Sequence, residues 1–263
     1  MSAVVVEDRG SVRILTIDRP TRRNALDLDD RLELLDALKA ADREARAIVL
    51  TGAGAVFCAG GDIRSMSQAR EVARKRLEVV NAVVRQMVTG QRPIVAAVEG
   101  GAFGLGLALA TASDIVVAGR SAKFSTSFAK IGLAPDTGLS YTLPLRVGRG
   151  RTRELLLTAR IFDAVEAERI GVLETLVDDG GALDAAVVTA TALAELSAPM
   201  VAGVRRLLAQ PDQSLEGVLA AEADTQVELL AGPQFAEGRA AFLERRTPDF
   251  VTQFRNSSGV PFA

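Results

Sequence analysis

The feature that most restricts the fold is an alternation in the first half of the chain. Short apolar runs, several of them closed by small residues, are interleaved with stretches of helical periodicity. Val4-Val5-Val6 and Val12-Arg13-Ile14-Leu15-Thr16-Ile17 read as two short strands joined by a turn around Asp8-Arg9-Gly10. Residues 27–41 carry leucines at 28, 32, 34, 35 and 38, a helical spacing. Ala47-Ile48-Val49-Leu50-Thr51 has buried-strand character and closes on Gly52-Ala53-Gly54. A charged amphipathic helix covers 67–89, and Pro93-Ile94-Val95-Ala96-Ala97-Val98 is the next strand, ended by Gly100-Gly101. A helix of small residues over 104–113 leads to strand Ile115-Val116-Val117-Ala118. This order argues for an α/β core with parallel strands. After Gly138 strand signals almost vanish, and 182–197, 200–209, 214–230 and 233–245 read as consecutive helices. The expectation is an α/β core over 1–198 and a helical segment over 199–263.

Composition then removes chemistries. The chain has no histidine. That excludes Ser-His-Asp and Cys-His catalysis, histidine-ligated metals and an imidazole base. A catalytic proton must move through a carboxylate, Lys, Tyr or Cys, or the chemistry must lean on fixed backbone dipoles. The single cysteine, Cys58, excludes an intramolecular disulfide and a Cys-rich zinc site. A net charge of -2 gives no electrostatic footprint for nucleic acid or an anionic membrane. No apolar stretch approaches the ~18–20 residues that span a bilayer. The N-terminal apolar run is short and lacks a basic flank, so a cytoplasmic protein is expected.

Two glycine-rich segments each follow a buried strand: Gly52-Ala53-Gly54-Ala55-Val56-Phe57-Cys58-Ala59-Gly60-Gly61-Asp62-Ile63 and Val98-Glu99-Gly100-Gly101-Ala102-Phe103-Gly104-Leu105-Gly106-Leu107-Ala108. Small residues admit a ligand close to the backbone, and a turn entering a helix presents unpaired N–H groups. Two such turns can aim two donors at one oxygen, the physical content of an oxyanion hole. Each segment alone equally suits tight turns and close helix–strand packing. A nucleotide site fits less well, because 104–109 lacks the third glycine of the dinucleotide fingerprint and no P-loop Gly-Lys-Ser/Thr follows.

Taken together, the segments resemble the crotonase (enoyl-CoA hydratase/isomerase) family. The likeness starts at Arg19-Pro20 with Asn24-Ala25-Leu26. It passes through Phe57-Cys58-Ala59-Gly60-Gly61-Asp62-Ile63, the 100–106 turn, Ser113-Asp114-Ile115, Ala122-Lys123-Phe124 and Ile131-Gly132-Leu133-Ala134-Pro135-Asp136. It ends at Glu237-Gly238-Arg239-Ala240-Ala241-Phe242-Leu243-Glu244-Arg245-Arg246. Each motif is modest alone; the ordered set is specific. The resemblance implies an α/β fold of stacked ββα turns with a helical C-terminal region, assembled as a homotrimer or homohexamer. It implies an acyl-CoA thioester as substrate, with CoA part of that substrate and no separate cofactor or metal. The oxyanion donors fall on the N–H groups of Gly61 and Leu105. Backbone near Ala59, Gly61 and Ile63 forms the adenine pocket. Arg22 or Arg23 is placed to meet CoA phosphates, and Arg245 or Arg246 reaches them from a neighbouring subunit. Exposed arginines are, by themselves, usually just solvated.

Carboxylates decide which member this is. By resemblance, the two hydratase glutamates fall at Ala108 and Phe128, neither of which transfers a proton, so Phe128 lines the site instead. Asp136 remains, at a position where family isomerases carry an aspartate. Its surroundings most resemble the epoxide/oxepin isomerase of phenylacetyl-CoA degradation. Pro-Asp-Thr-Gly before a helix also fits an N-cap, and the residues alone favour that use. The resemblance favours Asp136 as acid/base of a double-bond isomerase. Hydration, other enolate chemistry such as thioester hydrolysis or decarboxylation, and non-catalytic acyl-CoA binding stay open. Asp62 and Asp114 read as caps or turn residues, and Cys58 as packing.

Overall fold

The computed structural model describes residues 2–210 and 214–252. Its main sheet has six strands: β1 (Val4–Arg9), β2 (Val12–Ile17), β3 (Ala47–Gly52), β4 (Ile94–Val98), β6 (Ile115–Gly119) and β9 (Thr175–Val177), hydrogen-bonded in that order. Only β1 and β2 pair antiparallel; the remaining pairs are parallel. Helix α1 (Leu28–Glu44) supplies the crossover from β2 to β3, and α2 (Arg70–Thr89) that from β3 to β4. Asp27 caps α1 by accepting from the Asp30 N–H at 3.0 Å, and Asp30 returns the bond to the Asp27 N–H at 3.0 Å. That reciprocal box fixes where the helix starts.

Both faces of the sheet are covered, which is why its strands are apolar throughout. On one face Leu15, Ile17, Ile48, Leu50, Ile94 and Ala96 pack with α1, α2 and α3 (Leu105–Ala112). On the other, Ile14, Val49, Val95, Ala97 and Val117 meet Ala182, Ala186, Ala190 and Ala194 of α6 (Ala182–Glu195). The alanine stripe lets α6 lie close to the sheet. This mixed α/β architecture agrees with the fold that the resemblance implied.

A second sheet was not legible from the strand signals. β5 (Gly101–Phe103), β7 (Lys123–Ser125) and β8 (Phe162–Asp163) form three short strands, with β7 central. Two or three residues are too few to show periodicity, and their pairing is imposed by tertiary context. Beyond them, α4 (Leu139–Thr158) is broken at Gly148, α5 (Ala164–Arg169) is short, and α7 (Ala198–Leu208), α8 (Leu215–Leu230) and α9 (Pro233–Glu244) follow. Buried Arg205 ties α7 to α2 by donating to the Gly90 carbonyl at 3.0 Å, to the Met87 carbonyl and to Asp114. Among the described residues no single helix is long and apolar enough to cross a membrane. The last residues of the expected C-terminal segment, 253–263, lie outside the described residues.

Candidate active site

The two glycine-rich turns are hydrogen-bonded side by side. The Phe103 N–H donates to the Cys58 carbonyl at 2.9 Å, and the Cys58 N–H to the Gly101 carbonyl at 3.3 Å. A Cβ on Gly106 would lie 2.2 Å from the Cys58 carbonyl oxygen, so only glycine allows this approach. Gly104 precedes α3 with φ 52 and ψ -112, a conformation closed to other L-residues, and thereby turns the first helical N–H outward. That N–H belongs to Leu105. As the first residue of the helix it has no intrahelical acceptor. Across the gap, Gly60 has φ 114, and its Cβ position lies 3.9 Å from the Leu105 nitrogen. Among the described residues the N–H groups of Gly61 and Leu105 donate to no protein acceptor. Two unpaired amides flanking one gap are what an oxyanion requires.

Two arginines stand behind Gly61. The Nη2 atoms of Arg31 and Arg76 lie 2.7 Å and 3.1 Å from the point a Gly61 Cβ would occupy. Arg31 is 4% exposed, and among the described residues no acceptor bonds to its guanidinium. Burial, then the charge of Arg76, pushes its pKa down to about 10. Arg76 is better held, donating to Ser65 Oγ at 2.7 Å and to the Asp62 carbonyl at 3.1 Å. Both arginines occupy apolar register positions, Arg31 three residues before Leu34 and Arg76 four before Val80. Charged residues on a core-facing stripe were the signal that the sequence reading passed over.

Asp136 is half-buried, and among the described residues its carboxylate accepts no hydrogen bond from another residue. Burial pushes its carboxyl above the ordinary 3.8, against the pull of Arg31, its own N–H and Arg76. It caps nothing: α4 starts at Leu139, and its N-cap is Gly138 with no side-chain bond. The N-cap use of Asp136 is therefore corrected, because the left-handed Gly138 intervenes between the aspartate and the helix. The neighbouring Thr137 hydroxyl is buried without a partner among the described residues. Asp62 does cap a short 3-10 turn, accepting from the Arg64 N–H at 3.0 Å, and Asp114 accepts from the Ile94 N–H at 2.7 Å. Cys58 is fully buried, and its thiol is pushed up to about 12 by burial, so it is packing and not a nucleophile. Two larger cavities, of about 950 Å³ beside α4 and about 890 Å³ among α7–α9, are not lined by Gly61 or Leu105.

A family model described as enoyl-CoA hydratase/isomerase matches residues 7–253. The chain belongs to that family. A probable enoyl-CoA hydratase of Rhodobacter capsulatus is 38% identical over 90% of this chain and 93% of its own. The 1,2-epoxyphenylacetyl-CoA isomerase of Escherichia coli is 35% identical over 91% and 95%. The crystal structure of an enoyl-CoA hydratase from Polaromonas superposes with a TM-score of 0.90 at 34% identity, covering 94% of this chain and 98% of that one. Hydratase/isomerase enzymes act on acyl-CoA thioesters.

Other residues expected from the hydratase/isomerase resemblance separate by what holds them. Arg22 donates to Asp27, Asp30 and Asp62 at 3.0–3.1 Å, so its charge is spent inside the protein. Arg23 is exposed and has no side-chain partner among the described residues. The Ala59 N–H is committed to the Arg23 carbonyl at 2.9 Å, and Ile63 is exposed. The Phe128 ring edge comes 3.9 Å from the Cβ position of Gly104, beside the Leu105 donor. Arg245 is exposed at the end of α9, while Arg246 is paired with Glu237 at 2.6 Å. Ala108 lies fully buried in α3.

Proposed function

We propose that this chain is an enoyl-CoA double-bond isomerase in which the Gly61 and Leu105 N–H groups hold the thioester oxygen and Asp136 carries the proton. The observation behind this reading is Asp136 itself: a half-buried carboxylate, raised in pKa and free of any capping bond, in a site whose other family acid positions are Ala108 and Phe128. For a 3-enoyl thioester, the ionised Asp136 takes a proton from C2. The electron pair moves onto the thioester oxygen, giving a dienolate stabilised by the two donors. The protonated Asp136 then returns that proton to C4, and the double bond settles between C2 and C3. The reaction is redox-neutral and calls for no cofactor. A carboxylate with raised pKa suits both halves, since it is a stronger base and still a usable acid.

The CoA moiety is proposed to lie against the backbone of Ala59, Gly61 and Ile63, with Arg23 rather than the neutralised Arg22 at the phosphates. Residues 199–263 are proposed as the oligomerisation segment of a trimer or hexamer, from which Arg245 reaches a neighbouring site. The exposed apolar side chains Leu215, Val227, Phe242 and Leu243 support this, because α8 and α9 leave them uncovered. Hydration is the second reading, favoured by the likeness to a probable hydratase. Following a 3-enoyl-CoA and a 2-enoyl-CoA by mass spectrometry separates the two. Isomerisation of the first without water addition to the second is expected; rapid hydration of the second would overturn the isomerase assignment.

A further inference from the structure

Arg31 presents an unmet demand. Its guanidinium carries five N–H donors in a planar fork, its Nε is buried without a partner, and no protein acceptor reaches the group among the described residues. A buried donor without a partner costs the full desolvation of the group, and more for a charged one. Arg76 makes the demand sharper, since its Nη2 converges with that of Arg31 on the same point beside Gly61. Two like charges meeting there repel, and burial, then the charge of Arg76, lowers the pKa of Arg31. The nearby carboxylates are otherwise engaged. Asp27, Asp30 and Asp62 bond to Arg22, and Arg19 takes a further share of Asp30. Asp136 feels both charges but accepts a hydrogen bond from neither.

We infer that the acyl group of the substrate carries a carboxylate, a few carbons beyond the thioester, that is received by the Arg31 and Arg76 guanidinium groups. The inference rests on the proposed placement of the thioester oxygen at Gly61. Given that placement, the two guanidinium groups, 2.7 Å and 3.1 Å from the Cβ position of Gly61, stand next to the residue that holds the thioester carbonyl. A carboxylate matches a guanidinium fork edge to edge and accepts from two arginines at once. A neutral acyl chain would offer the Arg31 fork no acceptor. The absence of a Cβ at Gly61 is part of the arrangement, because a methyl there would meet both Nη2 atoms.

The test compares ω-carboxy-3-enoyl-CoA thioesters of five to eight acyl carbons with neutral 3-enoyl-CoA thioesters of equal length. For wild-type protein, kcat/KM should favour at least one carboxylated member by about 10- to 100-fold, the scale of charge-assisted hydrogen bonds lost to a neutral analogue. In Arg31→Met that ratio should fall at least tenfold, with the change in KM rather than kcat. Arg31→Lys, which keeps the charge and loses the fork, should recover part of it. Should the methionine variant fail to fold, the wild-type ratio decides alone. Turnover of neutral thioesters as efficiently as every carboxylated one overturns the inference and leaves the isomerase reading standing. Neither binding nor turnover of any thioester would overturn both.

Discussion

Replacing Leu105 by proline removes one hydrogen-bond donor at a position where the helix does not use it. Leu105 opens α3, and the first helical position tolerates proline because its N–H has no intrahelical acceptor. The leucine side chain is 3% exposed, so its loss costs about 2–5 kcal/mol of stability through the cavity it leaves. Leu105→Ala suffers a similar packing loss and keeps the N–H. The difference between the two variants therefore isolates the donor, whose removal should lower kcat by roughly 10²–10³, or about 2.7–4 kcal/mol in the transition state. The assay is steady-state isomerisation at saturating 3-enoyl-CoA, with thermal unfolding of both variants run alongside. If Leu105→Pro and Leu105→Ala are both folded and their kcat values agree within about threefold, the N–H of residue 105 does not hold the thioester oxygen.

The apposition of the two turns predicts that Gly106→Ala, whose Cβ would fall 2.2 Å from the Cys58 carbonyl, destabilises the fold by about 1–3 kcal/mol or more and lowers kcat at saturating substrate; urea unfolding and kinetics measure the two effects. Arg205→Met should cost about 3–5 kcal/mol by urea unfolding, because the Met87 and Gly90 carbonyls and Asp114 lose their shared donor. Since burial raises Asp136 above 3.8, the acid limb of the pH profile of kcat/KM should lie above that value and vanish in Asp136→Asn. The same shift means the native state holds this proton to higher pH than the unfolded chain does. The stability it contributes is thus present below 3.8 and declines as pH rises through the folded value, a decline the asparagine variant should lack in pH-dependent unfolding.

Much of this fold was legible because its signals are local. Parallel strands β3, β4 and β6 are buried on both faces and so read as unbroken apolar runs, and Asp27 before a leucine stripe marked the start of α1. The second sheet escaped because Gly101–Phe103 and Lys123–Ser125 are strands only by virtue of each other. At the site, the glycine-rich turns alone said only that unpaired amides could converge, and the resemblance to the family singled out Gly61 and Leu105. Arg31 and Arg76 were passed over for the opposite reason. An arginine in a charged helix looks solvated until the fold shows which face is buried. Asp136 also needed the structure, because one left-handed glycine at 138 separates a cap from a free carboxylate.

The account stands or falls on Asp136 as proton carrier. Asn at 136 keeps the size of the side chain but cannot shuttle a proton at neutral pH, so kcat for 3-enoyl-CoA isomerisation should fall by roughly 10²–10⁴. Thermal stability should change little, since no helix cap is lost. In deuterated water the wild-type enzyme should exchange the C2 proton of the substrate during turnover, and Asp136→Asn should lose exchange and isomerisation together. A folded Asp136→Asn variant that isomerises and exchanges at the wild-type rate would contradict the central claim.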